Sequence, residues 1–300
     1  MNDEIVLHII QAILVVTMIA FITLVVVVTR RQKANPFAKF GLGVIIGFIT
    51  DLGDTLGVGS FATTSALFRL TKFSDDDTKL PGTLNAAHAI PVMVEALLFI
   101  TTVKIELTTL VPMTMAAMLG AYVGPHITRR WNARLVRVAL GSALVIAAVI
   151  IIIRTFTNPG VTNPASVHGL HGILLPVGLI FNFILGNLMT IGLGNYAPEL
   201  IFFSLVGVNP SVAFPVMMLD AAMIMSVSGS QFVMMNRVQW KGLAGIAIGG
   251  IVGVVVAVTV VKQLPLSWLN WLIVTIALWT AFTLFRDGLK PSNDLAGDKY

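Results

Sequence analysis

The chain has 300 residues, 56% hydrophobic and 11% charged, with a formal net charge of +5 and no cysteine; its mean hydropathy is +0.91. So little charge cannot cover a water-soluble surface of this size, which places the chain in a lipid bilayer. The lack of cysteine excludes disulfides, thiolate metal sites and cysteine nucleophiles, and the positive balance bears on loop orientation in a membrane rather than on nucleic acid.

The first apolar run, Ile5 to Val28, holds 24 residues without a formal charge. At about 1.5 Å per residue it spans a hydrocarbon core of roughly 30 Å. It follows Asp3 and Glu4 and lacks a small-x-small cleavage site, so it reads as a retained crossing and not as a signal peptide. Apolar segments follow at 40–68, 82–103, 107–126, 135–153, 170–206, 212–234, 242–261 and 266–285. The segments 40–68 and 170–206 are too long for one crossing and are interrupted, by Gly53-Asp54-Thr55-Leu56-Gly57-Val58-Gly59 and by Thr190-Ile191-Gly192-Leu193-Gly194-Asn195. Irregular backbone at membrane depth persists only where protein or a water-filled cavity surrounds it, so both segments are expected to be broken helices or re-entrant hairpins.

Basic residues cluster at Arg30, Arg31, Lys33 and Lys39; at Arg69, Lys72 and Lys79; at Arg129, Arg130, Arg134 and Arg137; at Arg237 and Lys241; and at Arg286 and Lys290. Thr155 to Leu170 has no Lys or Arg. Counting each interrupted segment as a hairpin puts every basic cluster on the cytoplasmic side, with the N-terminus and the Asn158-Pro159-Gly160 loop outside and Lys104 and Lys262 as minor exterior charges. The expected fold is an all-α polytopic membrane protein with about seven full crossings and two broken hairpins; pairs of short crossings in place of the hairpins give the same parity. Its parts are an N-terminal helix and basic loop (1–39), repeat 1 (40–154), an external loop (155–169), repeat 2 (170–286) and a cytoplasmic tail (287–300). The parity makes the two repeats inverted with respect to each other. An offset of 135 residues lays Leu56-Gly57-Val58-Gly59-Ser60-Phe61-Ala62 on Ile191-Gly192-Leu193-Gly194-Asn195-Tyr196-Ala197 and Asn85-Ala86-Ala87 on Asp220-Ala221-Ala222.

A helix that starts just after a Gly-x-Gly break directs free N–H groups and a positive dipole end at whatever occupies the break. Two such ends, one per repeat, would hold a small anion without a buried lysine or arginine; tight helix packing is the competing use of the same glycines. The expected substrate-binding residues are therefore Gly57, Val58, Gly59, Ser60, Gly192, Leu193, Gly194 and Asn195, with Asn85 nearby. Ionisable residues inside the membrane are few and are functional candidates. Asp51 and Asp54 lie in the first broken segment and Glu199 follows the second break. Asn85, His88 and Glu95 fall within an arc of about 80° on one helix, and Asp220, Ser228 and Gln231 on another, so each repeat is expected to turn a polar stripe toward an aqueous path. A carboxylate beside an anion site repels the substrate unless it is protonated, which makes Asp54, His88, Glu95, Glu199 and Asp220 proton-coupling candidates. Interhelical hydrogen bonding is the structural alternative for each. Asp75-Asp76-Asp77 reads as a solvated helix start, His168 and His171 as interfacial residues, and the five tryptophans as an interfacial belt.

The pattern resembles the sulfite exporter TauE/SafE permease family, also called the toluene-sulfonate uptake permeases. The residues that carry the likeness are Gly57-Val58-Gly59-Ser60-Phe61-Ala62 and Gly192-Leu193-Gly194-Asn195-Tyr196-Ala197-Pro198. Where members commonly read Gly-x-Gly-Gly-Gly-Phe followed by a proline, the first copy has Ser60 and lacks the proline. The resemblance implies secondary transport of a small sulfur-containing anion, sulfite or an organosulfonate, across a bacterial cytoplasmic membrane. The expected partners are that anion, the lipid bilayer and protons, without nucleic acid, cofactor or metal, and a homo-oligomer is compatible with the sequence. A passive anion channel, or a transporter of a non-sulfur carboxylate or oxyanion, stays open as an alternative. There is no P-loop, no Gly-x-Ser-x-Gly and no His-Glu-x-x-His, so enzymatic activity is not expected.

Overall fold

The computed structural model of the chain describes residues 3–74, 76–100, 105–127, 133–157, 168–208, 212–261 and 266–289. Among these residues regular structure is helical: α1 (Asp3–Arg31), α2 (Phe40–Thr55), α3 (Ser60–Leu70), α4 (Leu80–Phe99), α5 (Leu107–Ile127), α6 (Ala133–Thr157), α7 (Leu174–Met189), α8 (Tyr196–Leu205), α9 (Ala213–Met234), α10 (Leu243–Val261) and α11 (Leu266–Gly288). Five stretches, Ile5–Arg31, Leu80–Phe99, Leu107–Gly124, Arg134–Ile153 and Ala213–Met234, are long and apolar enough to cross a bilayer. Leu174–Met189, Tyr196–Leu205 and Leu243–Thr259 are shorter apolar helices. The chain is thus a multi-pass, all-helical membrane protein. Arg129, Arg130, Lys104, Lys262, Lys290 and most of the expected external loop lie outside the described residues.

Both long interrupted segments are broken where the glycines fall. At the end of α2, Val58 N–H donates to Gly53 O (2.9 Å) and Gly57 N–H to Asp54 O (2.7 Å). At the end of α7, Leu193 N–H donates to Leu188 O and Gly192 N–H to Met189 O, both 3.1 Å. Each is a Schellman stop, in which the residue after the cap must turn left-handed. Glycine meets that demand at Gly57 (φ 94°) and Gly192 (φ 85°), and the four atom pairs correspond at the same 135-residue offset.

α4 and α9 pack on each other and are the most enclosed of the crossing helices. Around them α2 packs on α10, α7 on α5 and α6 on α11. The first two pairings are backbone-close. A Cβ at Gly47 or Gly249 would overlap the carbonyl oxygens of Ile246 and Val44, and one at Gly43 would come 2.7 Å from Gly242 O. Likewise a Cβ at Gly120 or Gly186 would overlap the carbonyl oxygens of Phe183 and Ala117. Small residues four apart, as in Gly43/Gly47, Gly245/Gly249/Gly253 and Gly120/Gly124, are the usual means of such approach in lipid, where dispersion and not water exclusion holds helices together.

Three basic segments meet at one end of the bundle. Lys39 Nζ donates to Lys72 O (3.1 Å), Trp240 Nε1 to Gln32 Oε1 (2.7 Å), Gln239 Nε2 to Phe73 O (3.2 Å) and Ala244 N–H to Pro36 O (3.2 Å). Phe73 is fully buried among these loops. Trp240 is buried here too, not interfacial as expected, while Trp271 and Trp279 stay exposed; Trp131 and the side chain of Trp268 lie outside the described residues. Asp76 accepts from the Thr78 hydroxyl (2.6 Å) and N–H (3.0 Å) at the 3-10 turn Asp77–Lys79 that leads into α4. The hydroxyl bond holds its carboxyl below the usual carboxylate range. About 30 Å away along α4, the segment before α5 joins the one before α7: Glu106 N–H donates to His168 O (3.0 Å), Leu170 N–H to Thr109 Oγ1 (2.7 Å), and the exposed His171 meets Glu106 at 3.2 Å.

Candidate functional site

A small, partly open cavity lies where the two breaks meet. One wall is Val58, Gly59, Phe61 and Ala62, the break before α3 and its first turn. The facing wall is Gly192, Leu193, Gly194, Tyr196 and Ala197, the break before α8 and its first turn. α6 adds Leu140, and α11 adds Thr280, Thr283 and Leu284. Of the nine expected substrate residues, Val58, Gly59, Gly192, Leu193 and Gly194 line this cavity. The first N–H groups of α3 and α8 have no intrahelical acceptor, so both helices turn positive dipole ends toward this space; the Ser60 N–H of α3 is taken by Asp54, and Pro198 in the first turn of α8 has no N–H.

The other four sit around it. A Cβ on Gly57 would press on Ile276 Cδ1 at 2.8 Å and Leu200 Cδ1 at 3.0 Å, so Gly57 seats the break against α8 and α11. Ser60 is buried at the start of α3, its Oγ without a partner. Asn195 donates from Nδ2 to Glu199 Oε1 (2.7 Å) and to Met217 O (3.0 Å). Asn85 donates to Pro81 O (2.9 Å) and Met189 O (3.3 Å) and accepts from Ser228 Oγ (2.7 Å). It ties α4 to α9 and to the end of α7 and is not on the cavity wall.

The ionisable candidates are buried in two groups, one from each half of the chain. In the first, His88 Nδ1 meets both Asp51 oxygens at 2.9 Å, and its Nε2 meets Thr64 Oγ1 at 2.9 Å, joining α2, α3 and α4. Gly250 on α10 leaves the room for Asp51, whose carboxylate a Cβ there would overlap. Asp54 accepts from Ser60 N–H at 2.5 Å, and Glu95 accepts from the Tyr196 hydroxyl at 2.9 Å, a bond between α4 and α8. In the second, Asp220 on α9 accepts from Thr114 on α5 and from Asn182 on α7. Glu199 holds Asn195 through one oxygen; its other oxygen is buried without a partner.

Asn85, His88, Glu95, Asp220 and Ser228 of the two polar stripes turn inward, fully buried and bonded to protein, so they line no open path in this conformation, whereas Gln231 is only partly buried and reaches Tyr122 O at 3.4 Å. Among the described residues no group of three or more His, Cys, Asp or Glu side chains is arranged to hold a metal ion. Removing one partner of a buried ion pair strands the other, at about 3–5 kcal/mol. The variant His88→Leu, which strands Asp51, is expected to lower the thermal unfolding midpoint in detergent sharply, and the double variant Asp51→Asn/His88→Gln to recover part of that loss.

Sequence reasoning missed Thr280, Thr283, Asn182 and Thr114. Thr280 and Thr283 are three apart on α11, which puts them on one face, and Asn182 is one of two asparagines in a mostly apolar α7, so each left a signal.

A family model, that of the sulfite exporter TauE/SafE, matches residues 3–151, a stretch that includes the first break and ends before the second. No curated protein and no solved structure matches the chain.

Proposed function

We propose, from the match of residues 3–151 to the sulfite exporter TauE/SafE family, a proton-coupled secondary transporter that moves a small sulfur-containing anion, sulfite or an organosulfonate, outward across the bacterial cytoplasmic membrane. The observation that carries the proposal is the convergence of the α3 and α8 N-termini on one cavity whose wall, among the described residues, has no lysine or arginine. Such a site suits a small oxyanion, which main-chain N–H groups and helix dipoles hold without a strongly hydrated side-chain cation.

In this reading repeat 1 covers 40–154 and repeat 2 covers 170–286, inverted about a pseudo-two-fold axis, with seven crossings and two broken hairpins. Exchanging the repeats carries the α2–α10 contact onto α7–α5 and returns α4–α9 and α6–α11 to themselves, as a two-fold relation requires. The meeting of three basic segments at one end favours that end as cytoplasmic. Rocking of one repeat against the other about the cavity would supply alternating access.

The test is flux in proteoliposomes. Labelled sulfite trapped inside should leave faster than from protein-free vesicles, be held back by excess unlabelled methanesulfonate, and saturate with concentration. A rate that rises linearly with sulfite, or no flux for either anion, overturns the proposal.

A further inference from the structure

We infer that Asp54 is a tethered anion that occupies the N-terminus of α3 in place of the substrate, and that taking up a proton on its carboxyl is what lets the substrate in, so that one proton travels with each anion. The inference rests on the transporter reading above and assigns its coupling to one residue.

Asp54 sits in the last turn of α2 and is 2% exposed. Its Oδ1 lies 2.5 Å from the N–H of Ser60, the first residue of α3, and its Oδ2 has no partner. Val58, Gly59, Phe61 and Ala62, on either side of that N–H, are cavity wall. The carboxylate therefore draws on the same positive helix end that the cavity would offer a bound anion. A helix N-terminus carries only about half a positive charge, and among the described residues no lysine or arginine lines the cavity to balance a second negative charge.

The other titratable groups facing Asp54 are committed elsewhere. Asp51, one turn earlier on α2, is held by His88 of α4, which also meets Thr64 of α3. Glu95 of α4 is held by Tyr196 of α8. α10, packed along α2, has no titratable side chain, and Arg69 is at the far end of α3. The second break differs: Glu199 engages the side chain of Asn195 and takes no main-chain N–H of α8. Glu199 also lies in the first turn of α8, so a carboxylate sits at both helix ends, but only Asp54 takes a main-chain N–H.

The step balances simply. A proton from water forms an O–H bond on Asp54, the charge that held Ser60 N–H is lost, and an oxygen of the incoming anion takes its place. When the anion leaves on the other side the proton returns to water and Asp54 caps α3 again. For a monovalent anion the transfer moves no net charge, so outward movement is driven by the anion's own gradient and runs against an inward proton gradient.

Methanesulfonate is the decisive probe because it stays ionised across the working pH range, so any proton that accompanies it is carried by the protein. In proteoliposomes with a trapped pH dye, the wild type should move one proton per methanesulfonate, at a rate that a potassium–valinomycin potential leaves unchanged. Its affinity should rise about tenfold per pH unit as pH falls while Asp54 is ionised in the empty site, the slope of one linked proton. Asp54→Asn should move the anion without a proton, lose the pH slope and become voltage-driven, whereas Asp54→Glu should keep the proton. Wild-type methanesulfonate flux without a proton, or with voltage dependence, overturns the inference whether or not the variants fold, and so does an Asp54→Asn protein that retains one proton per anion. If neither methanesulfonate nor sulfite moves in the wild type, the transporter reading fails first and this inference falls with it.

Discussion

Replacing Gly47 or Gly249 with leucine should abolish the folded protein. In both positions even a methyl group would overlap a main-chain carbonyl of the opposite helix, Ile246 O and Val44 O respectively. A flexible side chain can swing aside, but a carbonyl held in a helix cannot, so α2 and α10 would have to separate along their length. The loss belongs with the large effects of core overpacking, about 4 kcal/mol or more. It is read as the disappearance of the monodisperse peak in detergent size exclusion. Gly41, also on α2, has nothing within 4 Å of a built Cβ. Gly41→Ala should therefore elute as wild type; if it too fails, helix flexibility and not the α2–α10 contact is what these glycines supply.

Gly194→Leu is expected to do the opposite, leaving the fold and removing the activity. A Cβ at Gly194 meets nothing within 4 Å, and its φ is not in the left-handed range. The added side chain has free space, and that space adjoins the cavity wall to which Gly194 belongs. A leucine there fills a substantial part of a small site, so anion flux should fall by about a hundredfold, equivalent to roughly 2.7 kcal/mol of lost binding or barrier, while the elution profile and melting midpoint stay near wild type. Gly59 makes a less clean test, because its φ of 84° with ψ of 128° is a conformation that essentially only glycine takes, and any substitution there adds backbone strain. An active Gly194→Leu protein would move the site away from the breaks.

The breaks were legible because they rest on local rules. A glycine that ends a helix left-handed, two residues before a second glycine, is written in Gly57-Val58-Gly59 and again in Gly192-Leu193-Gly194, and both helices end there. What a polar residue does inside the bundle is set by what lies across from it, which spacing along one helix does not reveal. Asn85 was expected near the substrate and instead spends its amide on Ser228, Pro81 and Met189. Asp51 and His88 stood out singly, and only the structure makes them a pair. Thr114 and Asn182 acquire meaning only through Asp220. The glycines of α2 and α10 carry a local signal in their four-residue spacing, but their partner helix is more than two hundred residues away in sequence, from Gly43 to Gly245.

The make-up of the cavity separates two tasks that most binding pockets assign to the same side chains. In the proposed site, attraction for negative charge comes from the main chain of the breaks, where side-chain substitution cannot easily remove it, and much of the size and shape comes from side chains, Leu140, Thr280, Thr283 and Leu284 on α6 and α11 among them. Preference among anions can therefore drift, or be redesigned, through those four positions while the capacity to hold an anion is kept.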